Sequence, residues 1–293
     1  MHVAAILGPG DVAKPLAMFQ KEIRRQSNTE WTSLIEQADV IILFGGDGTL
    51  HRHLSMLVDL DVPVLIVPCG SGNDFARAIG LRTRQDCLFA WQKFSAGAAN
   101  LRSIDLGVIH EVQPSNVPGP GQSKLQHYFC CVAGVGLDGA IARRANSFPK
   151  WVRAHGGYGL AAPREFLRFV PFDVKISPNG SSAGKLQPVM LAAVANSPSF
   201  GGGMKIAPKA QLDDGKLDVC IVRAMDKISL FCLFPTLYFG RHLNSSRVEY
   251  LQTPTAHIET ALPADVFADG EFVCHTPVQL SVARNALQVI VPE

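Results

Sequence analysis

Apolar residues in the first third of the chain come in short unbroken runs separated by amphipathic stretches. Val40-Ile41-Ile42-Leu43-Phe44 and Val64-Leu65-Ile66-Val67 are apolar throughout, the pattern of strands covered on both faces. Residues 3–7 form a similar run, and the stretches at 13–25, 50–60 and 75–79 carry helical spacing between them. This alternation predicts an α/β domain, a parallel sheet with helices on both faces. In such sheets, ligands bind beyond the carboxyl ends of the strands.

After Asp105 the period changes to two. Segments at 173–177, 189–195, 217–222, 278–282 and 287–291 alternate or run apolar between turn signals, which predicts a mostly β second half, a sandwich. The boundary is placed near Ile104, giving domains 1–104 and 105–293, with the strand at 287–291 free to return to either sheet. Pro114, Pro118, Gly119, Pro120 and Gly121 mark a surface loop within 111–126. No internal repeat or heptad run is present.

Composition agrees with two folded domains. The 293 residues, 47% apolar and 18% charged, fit two units of roughly 150 residues and exclude disorder as the main state. Lys+Arg 27 against Asp+Glu 25 leaves +2, so a nucleic-acid partner is not expected. The seven cysteines are odd in number. Cys130, Cys131, Cys220 and Cys232 sit in apolar runs and no Cys-x-x-Cys pair occurs, so buried, reduced thiols in a cytoplasmic protein are expected. The start of the chain lacks a signal-peptide pattern. The longest apolar run, 230–240, holds Pro235 and is short of the ~18 residues of a membrane span; contact with a membrane would be peripheral.

Chemistry concentrates at two turns. The strand ending at Phe44 enters Gly45-Gly46-Asp47-Gly48-Thr49 and then a helix. Glycines let backbone amides approach a ligand, and a helix start adds partial positive charge, so the turn suits phosphate. Asp47 in its middle would repel phosphate unless a divalent cation intervenes, which implicates Mg²⁺ with a nucleotide. The alternative is a plain strand-to-helix turn capped by Thr49 or Asp47. A second loop, Pro68-Cys69-Gly70-Ser71-Gly72-Asn73-Asp74, follows the next strand. Two such loops at one sheet edge favour a binding site.

These residues carry a resemblance. Gly45-Gly46-Asp47-Gly48-Thr49-Leu50, then Pro68-x-Gly70-Ser71-x-Asn73-Asp74-Phe75-Ala76-Arg77, resemble the catalytic domain of the diacylglycerol kinase family, which includes bacterial lipid kinases and sphingosine and ceramide kinases. The similarity continues in order through Ile104-Asp105-Leu106-Gly107, Gly136-Leu137-Asp138, Asn196, Gly201-Gly202-Gly203, Ala207-Pro208, Asp214-Gly215-x-Leu217-Asp218 and Asp269-Gly270-Glu271. It implies an N-terminal domain binding ATP through Gly45, Gly46, Asp47, Gly48 and Thr49 with Gly70, Ser71, Gly72, Asn73 and Asp74, a lipid-binding β-sandwich domain, and a lipid acceptor. It further implies Asp269 as general base, Glu271 as its acidic neighbour near metal and phosphates, and a structural Mg²⁺ on Asp214 with the carbonyls of Gln211 and Lys216. A carboxylate to receive the hydroxyl proton and a cation to spread phosphate charge are what phosphoryl transfer to an alcohol needs. Read alone, Asp269-Gly270 and Asp214-Gly215 are also common hairpin turns.

The chain departs from the family pattern twice. Gly8-Pro9-Gly10-Asp11 stands where Asn-Pro-x-Ser/Ala-Gly is usual, and His51-Arg52 where Asn-Glu follows the glycine loop. The second change reverses a charge beside the nucleotide loop. Alternatives are therefore an NAD kinase-like enzyme, which shares the first loop, and a catalytically silent nucleotide-binding regulator. Gly134-x-Gly136-x-x-Gly139 matches the dinucleotide fingerprint after a strand read at 128–132, but the acidic residue expected about 20 positions on is missing. Asp138 is instead a candidate to face a lipid headgroup. Arg143, Arg144, Lys150, Arg153, Arg164 and Arg168, interleaved with Phe148, Trp151, Tyr158 and Phe166, suit docking on anionic lipid or a solvated face over core aromatics. His51 and His53, two apart, share no helix face and are expected at the surface.

Overall fold

A computed structural model describes residues 1–26, 28–112, 126–148, 157–180, 184 and 186–292 of the chain. They fall into two compact units, Met1–Asp105 with Arg284–Glu293, and Leu106–Ala283.

In the first unit, strands β1 (His2–Leu7), β2 (Glu30–Trp31), β3 (Val40–Gly45) and β4 (Val64–Pro68) alternate with helices α1 (Ala13–Ile23) and α2 (Asp47–Leu60); the short α3 (Asp74–Ala78) and α4 (Arg84–Ser95) follow β4. The strands pair in parallel in the order β4-β3-β1-β2. Every residue of β3 is buried, which is why its sequence shows no alternation. Phe19, Phe44, Leu50, Leu54, Phe75 and Trp91 fill the core around it, and Phe19 meets Phe44 edge to ring face at 5.6 Å. Thr83 and Asp86 form a reciprocal capping box that starts α4. Strand β5 (Leu101–Glu111) leaves this unit for the second.

The second unit is built on antiparallel strands: β6 (Gln126–Phe129), β7 (Val132–Gly136), β8 (Phe172–Pro178), β9 (Leu186–Ala195), β10 (Leu217–Arg223), β11 (Val248–Thr253), β12 (Thr255–Thr260), β13 (Asp265–Ala268), β14 (Glu271–His275) and the start of β15 (Val278–Ile290). Strand β9 is the hub. Its first residues pair with β8, and its remainder runs between β7 and β10. The strands enclose an apolar core that includes Phe129, Val135, Val194, Val219, Ile258 and Leu280. Helices α5 (Leu137–Asn146), α6 (Gly157–Arg168) and α7 (Lys227–Leu233), with 3-10 turns at Phe234–Phe239 and Arg241–Asn244, complete it.

Several expectations need correction. The strand read at 128–132 is broken at Cys130-Cys131, where the chain bends between β6 and β7. The strands read at 278–282 and 287–291 are one, β15, kinked at Asn285 with φ +50°; its end pairs in parallel with β4. Cys232 is exposed, whereas Cys87, Cys130, Cys131, Cys220 and Cys274 are buried. Burial pushes the Cys87 and Cys220 thiols up to about 12. His51 and His53 are half-buried; the His53 Nδ1 lies 2.8 Å from the Thr49 carbonyl. The Pro/Gly-rich loop at 113–125 lies outside the described residues.

The dinucleotide fingerprint is not realised. Strand β7 does precede a helix, α5, but its neighbours β9 and β13 are both antiparallel, so no βαβ unit exists there. Packing accounts for the three glycines. A Cβ at Gly134 would meet Asp138 Oδ2 at 2.2 Å, at Gly136 the Met190 carbonyl at 2.6 Å, and at Gly139 the Phe267 ring at 2.7 Å. Part of the basic stretch is paired, Arg143 with Asp265 and Arg144 with Glu165, and Phe166 is buried, whereas Arg164 and Arg168 are exposed. Lys150, Trp151 and Arg153, and the Tyr158 side chain, lie outside the described residues.

Candidate active site

In the first unit, three loops meet beyond the carboxyl ends of β1, β3 and β4. Gly46 and Gly70 approach backbone to backbone: a Cβ on Gly70 would lie 2.6 Å from the Gly46 Cα. The Cys69 amide donates to the Gly45 carbonyl (2.8 Å), continuing the β3–β4 pairing into the loops. The departing Gly8-Pro9-Gly10-Asp11 segment joins them. The Gly8 amide donates to Phe44 O (2.7 Å), and Cβ atoms on Gly8 and Gly10 would strike Thr49 Oγ1 and the Cys69 carbonyl, each at 2.5 Å. Here glycine is required by space: φ is not in the left-handed region at Gly46 or Gly70.

The polar residues of the second loop hold its shape. Asn73, in the left-handed region at φ +53°, closes a ring with Gly70: its Oδ1 accepts from the Gly70 amide (2.9 Å) and its Nδ2 donates to the Gly70 carbonyl (2.7 Å). Arg77 donates to Gly72 O and to buried Asp74 Oδ1 (2.9 Å). Helix α2 begins at Asp47, inside the first loop, with Gly46 as its N-cap. Its first amides and its dipole suit an anion at this edge. Arg52 is exposed one turn further along.

Asp47 has a job the sequence did not reveal. Its Oδ2 accepts from the Asp74 amide (3.0 Å) and its Oδ1 from the Phe75 amide (3.1 Å). The carboxylate bolts the first loop to the start of α3, so it serves as a strut between loops rather than pointing only at a ligand. Gly48, Thr49, Ser71 and Gly72 complete the same cluster, with Thr49 buried against Gly8 and Gly45.

In the second unit, Asp269 and Gly270 form the two-residue turn between β13 and β14, with φ +50° and +85°, the left-handed pair of a type I′ hairpin. The Asp269 carboxylate turns inward. Oδ1 accepts from the Cys131 and Val132 amides (2.8 and 3.1 Å), Oδ2 from the Cys130 amide (2.9 Å), and the Asp269 amide donates to Val132 O (2.9 Å). Asn196 and Ser197 complete the clamp: their amides donate to Cys131 O (2.8 and 3.1 Å). Three N–H donors suit a carboxylate, which can only accept. Glu271 opens β14 opposite Ala268, half-buried.

The second unit also holds an apolar pocket with about 500 Å³ of empty space, part of it open to solvent. Phe166, Met190, Met204, Leu230 and Phe234 are among its lining residues, and Asp138 is the one ionisable group among the described residues that line it. The Gly201-Gly202-Gly203 turn, at φ +62°, +89° and +103°, brings Phe200 and Met204 together at its wall. Burial pushes the Asp138 carboxyl up to about 7, against the lowering effect of the Gly139 and Asp138 amides.

Asp214 lies in the turn before β10, where its Oδ1 accepts from the Lys216 amide (3.0 Å). Nearby Asp218 is raised, first by burial and to a smaller extent by the Asp214 charge, while Tyr250 and Gln252 donate to it. The Asp214 carboxylate and the backbone carbonyls of this turn are oxygen donors, the kind a hard divalent cation takes.

Comparison with known proteins places these features. Residues 13–109 match the diacylglycerol kinase catalytic domain, and residues 131–291 the YegS C-terminal NAD kinase beta sandwich-like domain. A diacylglycerol kinase of Mycobacterium tuberculosis (strain CDC 1551 / Oshkosh) is 31% identical over 260 residues, 87% of this chain and 77% of its own. A diacylglycerol kinase of Bacillus subtilis (strain 168) is 28% identical over 262 residues, 88% and 80%. The fold is similar to a crystal structure of a diacylglycerol kinase from Bacillus anthracis strain Sterne, with TM-score 0.65, 21% identity, and coverage of 99% and 96%. The chain belongs to the diacylglycerol kinase family: it is a lipid kinase, a phosphotransferase acting on a lipid, with an N-terminal α/β domain and a C-terminal β sandwich-like domain. Among the described residues no helix is long and apolar enough to cross a membrane.

Proposed function

We propose that the protein transfers the terminal phosphoryl group of ATP, with Mg²⁺, to a primary hydroxyl of diacylglycerol or a related lipid. The observation that carries the acceptor class is the pocket of the second unit, whose described lining residues are apolar but for Asp138. Such a wall suits acyl chains with one polar contact at the headgroup, and offers a ribose few of the hydrogen bonds that the NAD kinase alternative needs. The amides around Gly45–Thr49 and Gly70–Asp74 hold the triphosphate, with the loops kept in register by Asp47 and Asn73. Asp269 accepts the proton of the attacking alcohol, and Glu271 is its acidic neighbour. Mg²⁺, when bound, spreads the charge of the phosphates. A second, structural Mg²⁺ is assigned to Asp214 with the carbonyls of Gln211 and Lys216.

Peripheral membrane contact belongs to the same reading. The segments that wall the pocket turn Leu167, Ile228, Phe231 and Phe239 outward, Ile228 at 78% and Phe239 at 72% exposure, an apolar group suited to a lipid surface.

The test is incubation with labelled ATP, Mg²⁺ and a mixed lipid extract, comparing wild type with Asp269→Asn. Wild type is expected to yield labelled lipid and the variant almost none. Since Asp269 also clamps the Cys130–Val132 amides, circular dichroism must show the variant folded. Equal labelling would remove Asp269 from its role; ATP binding without transfer would favour the silent regulator; label on NAD but on no lipid would favour the NAD kinase.

A further inference from the structure

In a regular strand, successive side chains point to opposite faces. The bend between β6 and β7 breaks that rule at Cys130-Cys131. With the three amides of Cys130, Cys131 and Val132 drawn onto Asp269, both sulfurs fall on one side, Sγ to Sγ 3.9 Å. The Cys130 Sγ is 3.4 Å from Asp269 Oδ2, and one donor atom from each of Cys130, Cys131 and Asp269 lies within 4.8 Å of the others.

Two of these spacings are close to those of a tetrahedral zinc site. Zn–S bonds of about 2.3 Å and Zn–O bonds of about 2.1 Å set neighbouring sulfurs about 3.8 Å apart and sulfur and oxygen about 3.6 Å apart. Two of the three edges are already close to those lengths, and the third is within 4.8 Å. The two thiols are buried and the carboxylate is half-exposed, which leaves a fourth position toward solvent for water. We propose that Cys130 Sγ, Cys131 Sγ and a carboxylate oxygen of Asp269 form a binding site for a thiophilic divalent cation, Zn²⁺ in the first instance, distinct from any Mg²⁺ site.

Binding exchanges two S–H bonds for two metal–thiolate bonds. The two protons leave to solvent and no electron is transferred, so affinity rises with pH. The donor set selects against Mg²⁺, which takes oxygen ligands in octahedral geometry. If Asp269 is the general base, an inference that rests on the reading above, the bound cation engages the carboxylate that must receive the alcohol proton. Zn²⁺ then inhibits lipid phosphorylation without competing with Mg²⁺.

The test uses the reduced full chain and Co²⁺ as the spectroscopic probe, with Zn²⁺ as competitor. One Co²⁺ is expected to bind with a thiolate-to-cobalt charge-transfer band and strong visible bands of tetrahedral cobalt, both erased by Zn²⁺. Cys130→Ser and Cys131→Ser should each lose the band intensity of one thiolate and weaken Zn²⁺ binding by at least about tenfold. Cys69→Ser/Cys232→Ser, which removes the two thiols outside the core, should keep the whole spectrum. Absence of a charge-transfer band in that double variant, or bands unchanged in both Cys130→Ser and Cys131→Ser, overturns the site. The kinase assay separates the two readings. A wild type that gives the cobalt spectrum but labels no lipid keeps the metal site and sinks the kinase assignment. Lipid labelling with no cobalt spectrum does the reverse.

Discussion

Replacing Gly70 by alanine tests whether the two glycine loops work as one surface. The new Cβ would sit 2.6 Å from the Gly46 Cα, 3.0 Å from Asn73 Oδ1 and 3.2 Å from the Gly46 amide nitrogen. To reach ordinary contact at 3.4 Å, one loop has to withdraw by about 0.8 Å. Neither is free to do so. Cys69 and Gly45 are joined by a backbone hydrogen bond, Asp47 grips the Asp74 and Phe75 amides, and Asn73 closes a ring with Gly70 itself. Overpacking of this kind costs about 1–3 kcal/mol. A displacement near 1 Å of groups that position a reacting phosphate costs on the order of 100-fold in rate. Gly70→Ala is therefore expected to lower kcat/KM for ATP by about that factor, with a modest fall in melting temperature. Gly97→Ala is the control: Gly97 has φ +90° but nothing within 4 Å of a Cβ, so it should lose stability by about 1 kcal/mol from backbone strain and no ATP efficiency. A Gly70→Ala enzyme with kcat/KM within about threefold of wild type would refute the reasoning.

Three further outcomes follow from other contacts. Asp138→Asn should flatten the pH dependence of stability. As pH rises from the ordinary carboxyl value of 3.8 to about 7, the unfolded chain releases a proton that buried Asp138 keeps, so wild-type stability falls across that window and levels off above it. The variant should gain on the order of a few kcal/mol at neutral pH, read by denaturant titration at pH 4.5 and 7.5, and no gain would disprove the burial argument. Asp47→Ala removes the acceptor for two helix-start amides and should cost about 0.5–2 kcal/mol in thermal melts, together with weaker ATP binding by calorimetry; a silent change in both would make the strut irrelevant. Met190→Trp fills the apolar pocket and should abolish lipid labelling while ATP binding stays intact, whereas unchanged labelling would move the acceptor elsewhere.

What was legible in the sequence was what depends on neighbours in the chain. Strands β3 and β4 show as apolar runs because both faces are covered, and the glycine loops show because backbone approach leaves no room for side chains. The Asp269-Gly270 hairpin is visible for the same local reason. What was hidden depends on partners far along the chain. Asp47 caps a helix 27 residues away, and nothing in Gly-Gly-Asp-Gly announces that. The bend at Cys130-Cys131 carries no turn residue: it is imposed by the carboxylate of Asp269, 139 positions on. Strand β15 reads as two because Arg284 and Asn285 interrupt its apolar pattern, yet the Asn285 amide is held by buried Asp105 (2.8 Å), which carries the strand across the gap. The pocket wall gathers residues from 137 to 237, so no window of sequence shows it.

The pairing of Val289 with Val64 has a consequence for biosynthesis. A ribosome releases β1 through β4 early, but the strand that flanks β4 emerges only after the whole second unit has been made. The first unit must therefore wait, with one sheet border uncovered, until residues 284–290 have been made. Fragments cut short before residue 284 should be prone to stick to one another through that border, and a peptide covering residues 284–292, supplied separately, should relieve the defect.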